Sequence, residues 1–152
     1  MTSFDKKLDR ESINPRLQAF EKFISGMYLG EITRNILLTL IDATPSCLFE
    51  GFSTPQLNQH YGFDSAFMSD IENAQSSSEI KKVLVDRLGF MANIVSDEDT
   101  EVVRWACETV ATRAAKLSGT AIAAVLVQTG KARIGGGFSG GTETLKVGVD
   151  GR

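Results

Sequence analysis

A single apolar stripe near the C-terminal end constrains the fold more than any other feature. Val103, Ala106, Val110, Ala114, Leu117, Ala121 and Ala124 step by three and four, which puts them on one line of an α-helix. The spacing predicts one long helix over about 99–129. Ser96-Asp-Glu-Asp99 has capping-box spacing with Asp in place of the usual Glu, and Gly130 sits where a C-terminal glycine belongs. From Ala121 to Val127 the pattern is apolar all round, so burial of that half is expected. The same run is far too short to cross a bilayer.

The rest of the chain reads as further helices. Residues 1–13 are polar and read as an extended or loop-like lead-in. Asn14-Pro15 reads as a helix start, with Asn a favoured N-cap and Pro fitting the first turn. A helical pattern then runs to about Asp42. Phe20, Ile24, Met27 and Tyr28 share one face, and Ile36, Leu37 and Leu40 continue an apolar surface. Gly26 and Gly30 interrupt it and read as a local break or kink. Thr44-Pro45 ends the helix. Residues 43–63 are turn-rich, with a short helix from Thr54 to Gln59. Asp64 looks like the N-cap of a helix through about Asn73. Ser76 to Glu79 opens another, with Ile80, Val83, Leu84 and Leu88 on one face and Gly89 closing it. Residues 130–143 form a Gly-rich loop. Thr144 to Val149 reads as a strand entering an Asp150-Gly151 turn. A strand that ends on a hairpin signal needs a partner, which hints that more chain belongs with it.

The length of 152 residues is that of one domain able to bury a core. With 16 Lys+Arg against 19 Asp+Glu, the formal charge of −3 gives no electrostatic case for nucleic acid or an anionic membrane. Cys47 and Cys107 make no metal-ligand spacing, and a reduced intracellular chain is the expectation. The N-terminal segment has no apolar h-region. A cytoplasmic protein is expected, with no membrane or nucleic-acid partner.

Four places could carry chemistry. The sole histidine, His60, lies in a polar loop with nothing nearby to suggest a nucleophilic triad. The run Gly135 to Gly141 lacks the Lys-Ser/Thr that a phosphate loop needs, which favours a surface loop. Gln18 and Glu21 are three apart and share a face near a helix start. A carboxylate beside an amide can hold sugar hydroxyls, since Glu accepts and Gln both gives and accepts. On spacing alone, a solvated Glu21 paired with Lys22 or Arg16 is the simpler reading. Ser65 and Ser69 lie in the first turns of a predicted helix, where free N–H groups and hydroxyls can bind an anion; spacing alone favours plain capping.

Together these signals resemble one family. Residues 12–42 are similar to the hexokinase segment N-P-x-x-Q-x-[FY]-E-K followed by G-x-Y-[LM]-G-E-[ILV]-x-R. Leu48-Phe49-x-Gly51, Phe67-x-Ser69-x-Ile71-Glu72 and Arg113-Ala114-Ala115 follow in the family's order. Arg104 to Glu108 and Leu126 to Gly130 are more like fungal glucokinases in particular. Val147 to Gly151 resembles the strand and turn leading to the remainder of the nucleotide site. The likeness runs from about residue 5 to the end and makes residues 1–152 part of the family's large, C-terminal domain.

The resemblance implies an α/β fold of the actin-like, ribonuclease-H-like type, with this portion mostly α-helical and ending on one strand. It implies ATP-dependent phosphorylation of glucose or a related hexose at the 6-hydroxyl, with ATP and with Mg2+ held mainly through the nucleotide. Glu21 matches the family carboxylate on the sugar hydroxyls, and Gln18 its neighbour. Gly26 and Met27 match the step beside the nucleotide, with Met standing for Lys as a family variant. Ser65 and Ser69 match the hydroxyl pair at the ATP site. No catalytic residue and no metal ligand is assigned. The family's L-D-x-G-G-T-N hairpin, its Asn-Asp segment with the general base, its Lys-Thr sugar segment and its G-S-G-x-G segment do not occur in these 152 residues. Negligible turnover by this chain alone is therefore expected. The alternative is a non-catalytic hexokinase-like regulator or sugar-binding protein, which a monodisperse, cooperatively unfolding chain would favour. A stand-alone helical interaction module fits the motif order poorly.

Overall fold

A computed structural model describes residues 1–132 and 146–148. Among them are seven α-helices: α1 (Ser3–Glu11), α2 (Ala19–Ile24), α3 (Gly26–Ile41), α4 (Pro55–Asn58), α5 (Ser65–Asn73), α6 (Ser77–Leu88) and α7 (Asp97–Gln128), with a 3-10 turn at Phe49–Gly51. The chain forms two compact units, Met1–Leu117 and Ser118–Arg152.

The helix starts follow from their caps. Thr54 Oγ1 accepts the Leu57 N–H at 3.1 Å and opens α4. Asp64 accepts from Ala66 and Phe67 at 2.9 and 3.1 Å and opens α5. Ser76 caps α6 through the Glu79 N–H, and Gly89 closes it at φ +77. The Ser96–Asp99 capping box is present: Asp99 N–H donates to Ser96 Oγ at 3.0 Å, and Ser96 N–H to Asp99 Oδ2 at 2.8 Å. The C-terminal end of α7 closes on Gly130 at φ +72, whose N–H donates to Val127 C=O. Lys131 N–H donates to Leu126 C=O, which completes a Schellman motif.

Several expectations are corrected. Residues 3–11, read as extended, form α1. Its start is a capping box in which Asp5 N–H donates to Thr2 Oγ1 and Thr2 N–H to Asp5 Oδ2. Phe4 and Leu8, one turn apart, are its two apolar residues and pack on the core, and two positions are too few to mark a helix in a polar segment. The helix read from Asn14-Pro15 begins only at Ala19 and breaks at Ser25, which is extended at φ −78, ψ 132. The break lies one residue before Gly26 and splits the proposed apolar face: Tyr28 is buried while Phe20 and Met27 are exposed. Gly30, read as part of the break, lies inside an unbroken α3. The apolar half of α7, expected to be buried, is exposed or half-buried from Ala121 to Val127, with Val125 at 60%. That helix also holds an 18-residue window of mean hydropathy 1.4, enough by length and composition alone to cross a membrane. Of the proposed strand, residues 146–148 carry no strand; its remaining positions and the Gly135–Gly141 loop lie outside the described residues.

In the first unit, α3 packs against α1, α2, α4 and α5, and α5 against α6. α7 contributes Val103, Ala106 and Val110 of its apolar stripe, and Cys107 beside them, to the same core. Phe49 and Phe90 rings pack at 4.1 Å, and Phe63 and Phe67 at 5.4 Å. Polar ties fix α7 in this unit. Asp99 Oδ1 accepts the Phe49 N–H at 2.9 Å, Arg104 donates to Ala74 C=O at 3.0 Å, and Arg113 meets the buried Asp5 at 2.9 Å.

Burial pushes the Cys107 thiol up to about 12, with help from the charges of Glu72 and Glu108. Cys47 is exposed. Since the thiolate is the nucleophile, a neutral-pH alkylating reagent should modify Cys47 alone in the native chain. Cys107 should react only on unfolding. Intact-mass spectra showing one adduct, then two in denaturant, are the expected result.

Candidate functional site

The predicted sugar pair sits at the start of α2, and its placement depends on a neighbour that sequence reasoning left in solvent. Lys22 is 1% exposed. Its ammonium donates to Asp9 Oδ1 and to Asn14 C=O, both at 2.7 Å. Asp9 also accepts the Arg16 N–H, at 3.0 and 3.1 Å to its two oxygens. The Lys22 hydrogen bond, then Arg16, holds the Asp9 carboxyl below its usual range against the opposing effect of burial. Lys22 thus faces inward and is engaged with α1. Glu21, one residue earlier, faces solvent. Among the described residues its carboxylate has no ion pair or side-chain hydrogen bond, so the pairing with Lys22 or Arg16 that spacing suggested is not made. Gln18 is the N-cap of α2 in the left-handed region at φ 52, and its side-chain carbonyl accepts from Asn14 Nδ2.

Ser25 then turns the chain into α3. Its carbonyl accepts from Tyr28 and Leu29 at 2.9 and 3.2 Å. The N–H groups of Gly26 and Met27, first in α3, have no partner within the helix. The start of α3 lies against the start of α5: a Cβ on Gly26 would come 3.4 Å from Ser65 Oγ. The fold therefore brings together Gly26 and Ser65, which lie 39 residues apart by number. Met27 is 65% exposed beside them. Ser69 Oγ donates to Ser65 C=O at 3.1 Å. The first N–H groups of α5 are taken by Asp64, so capping holds there, as spacing favoured. What this corner offers a ligand is two serine hydroxyls and the positive end of a 16-residue helix with no acidic residue in its first turn. That set suits an anionic phosphate.

Another group of residues has ligand-like proximity. Atoms of Glu11, Glu31 and His60 lie within 4.8 Å of one another. Glu31 is fully buried and already committed: Arg34 donates to its two oxygens at 2.6 and 2.7 Å, and Tyr61 N–H at 2.8 Å. The guanidinium opposes a second cation, so the cluster is read as structural. His60, half-exposed, packs its ring tilted against Tyr61 at 4.4 Å and stands 3.5 Å from Glu31; no serine–histidine arrangement forms around it among the described residues.

Sequence reasoning missed Asp9, Lys22 and the Glu31–Arg34 pair. The Thr2-x-x-Asp5 box could have revealed α1 and so placed Asp9 on a helix. Nothing local marks Lys22 as buried.

This helical arrangement has counterparts among known proteins. The family model described as Hexokinase matches residues 1–152. Hexokinase-3 of Mus musculus is 39% identical over 150 residues, 99% of this chain and 15% of that protein. Hexokinase-1 of Homo sapiens is 39% identical over 125 residues, 82% of this chain and 13% of that protein. A solved hexokinase from Schistosoma mansoni complexed with glucose superposes with a TM-score of 0.77 at 35% identity, covering 85% of this chain and 29% of that one. A further hexokinase crystal structure gives a TM-score of 0.69 at 27% identity over 84% of this chain and 27% of that one. The chain belongs to the hexokinase family and shares the α/β, actin-like fold of those neighbours. It spans about 15% of the length of the mammalian relatives it matches. Those relatives are animal proteins; the more particular likeness to fungal glucokinases rests on sequence motifs alone.

Proposed function

We propose that the chain supplies part of the hexose- and nucleotide-binding surface of an ATP-dependent hexose 6-kinase, the first step of glycolysis when the hexose is glucose. The observation that carries this reading is the outward-facing Glu21, without an ion-pair partner among the described residues and held out by the burial of Lys22. Five residues further along the chain, Gly26 meets Ser65 at a helix N-terminus. Glu21 would accept hydrogen bonds from two sugar hydroxyls, and Gln18 would add a donor. The N–H groups of Gly26 and Met27, with the hydroxyls of Ser65 and Ser69, would border the phosphates of ATP. Bound MgATP supplies the transferred phosphoryl group and the metal that offsets its charge. The relative solved with glucose supports the choice of sugar.

The proposal includes inactivity of these residues alone, because the Asn-Asp segment that would deprotonate the attacking hydroxyl is not among them. Uncovered apolar surface also fits a portion of a larger domain. A groove of about 290 Å3 between α1, α3 and α7 is lined by Phe4, Ile36, Leu40 and Trp105, and Trp105 is 57% exposed. A cytoplasmic setting completes the proposal and rests on the two free thiols. A coupled assay on the purified chain with glucose and MgATP should give no turnover above background. Turnover near that of a full-length hexokinase would overturn the inactivity reading.

A further inference from the structure

We propose that Asp9 and Lys22 act as a clamp that holds the Asn14–Gln18 turn in the conformation presenting Gln18 and Glu21, so that both are positioning residues of the hexose half-site. The inference rests on the hexose reading above. Lysine is rarely buried unless paired, and Lys22 is among the largest fully buried side chains of the protein. Its ammonium reaches from α2 beneath the turn to the Asn14 carbonyl, while Asp9 reaches from α1 to the Arg16 N–H. One cation and one anion, themselves 2.7 Å apart, thus hold the turn at two backbone points.

The turn needs holding. Arg16 at φ 66 and Gln18 at φ 52 occupy left-handed backbone that residues with a side chain avoid unless the surroundings impose it. No side chain caps α2, and at six residues it is too short to persist unsupported. Anchoring Lys22 decides which face of α2 turns inward. Adjacent helical residues diverge by about 100°, so that anchor also turns the Glu21 carboxylate outward. A clamp that merely stabilised the fold would be indifferent to Gln18 and Glu21. This one is bonded to the turn that carries Gln18 and lies next to Glu21 in the helix.

The test is an amide-resolved NMR titration of the whole chain, its Asp9→Asn variant and its Lys22→Met variant, with glucose and separately with MgATP. Asp9→Asn retains a neutral acceptor and serves if Lys22→Met fails to fold. Faster exchange of the Arg16 amide is expected in the variants. So is glucose affinity at Gln18 and Glu21 weakened by about tenfold or more, with MgATP shifts at Gly26 and Ser65 unchanged. A variant that binds glucose as the parent does would overturn the clamp, and so would parallel loss of both ligand responses. A parent that responds to MgATP but not to glucose would overturn the hexose reading itself, and the positioning role with it.

Discussion

Gly30→Ala should destabilise the protein by about 3 kcal/mol or more, at the upper end of what overpacking costs. A Cβ there would lie 2.3 Å from the Phe63 carbonyl oxygen and 2.6 Å from the Asp64 carbonyl carbon. Both obstacles are backbone, so no side chain can swing aside. The gain in helix propensity from Gly to Ala, about 1 kcal/mol, acts in the opposite direction and is outweighed by the clash. Relief requires α3 to separate from the start of α5, which is the contact that brings Gly26 to Ser65. Urea denaturation should therefore show a large fall in midpoint. Equal or higher stability would mean that the two helices are not in this contact.

Arg34→Met should cost about 3–5 kcal/mol, the range for removing one partner of a buried ion pair. Glu31 is 0% and Arg34 4% exposed, and Arg34 also donates to Leu57 C=O at 2.9 Å. The variant strands a carboxylate among the Tyr61 N–H and the Asn35 amide without its counter-ion. Glu31→Gln added to Arg34→Met should recover much of the loss, because the uncompensated charge is then gone. The double-mutant cycle from denaturation midpoints measures this coupling. Additive losses would contradict the pairing. Against a typical domain stability of about 5–15 kcal/mol, either of the two substitutions consumes a large fraction.

How far the sequence reveals this fold depends on what kind of signal each element carries. Asp64, Ser76 and Ser96 satisfy N–H groups of their own helices, and Gly89 and Gly130 adopt left-handed turns. Such signals are local, so the helices they bound are readable from residues alone. The break at Ser25 is only half legible, because an extended serine leaves no mark and only Gly26 stands beside it. Periodicity shows which residues of α7 want cover but not whether cover is there, and the exposure of Val125 is the result. Gly30 reads as a weak point in a helix until Phe63, distant in sequence, is seen against it. At the site, the motif picks out Glu21 and Gln18, but Lys22 looks like any surface lysine. Its burial depends on Asp9, across a turn and on a helix with only two apolar residues.

Glu21, with Gln18, is proposed to form a hexose-recognising surface. The most direct measurement is a glucose titration of the isotopically labelled chain, followed at the Gln18 and Glu21 amides and repeated on Glu21→Gln. Saturable shifts centred on those residues in the parent, lost or strongly weakened in the variant, are predicted. No saturable shift in the parent, or identical titrations of parent and variant, would contradict it.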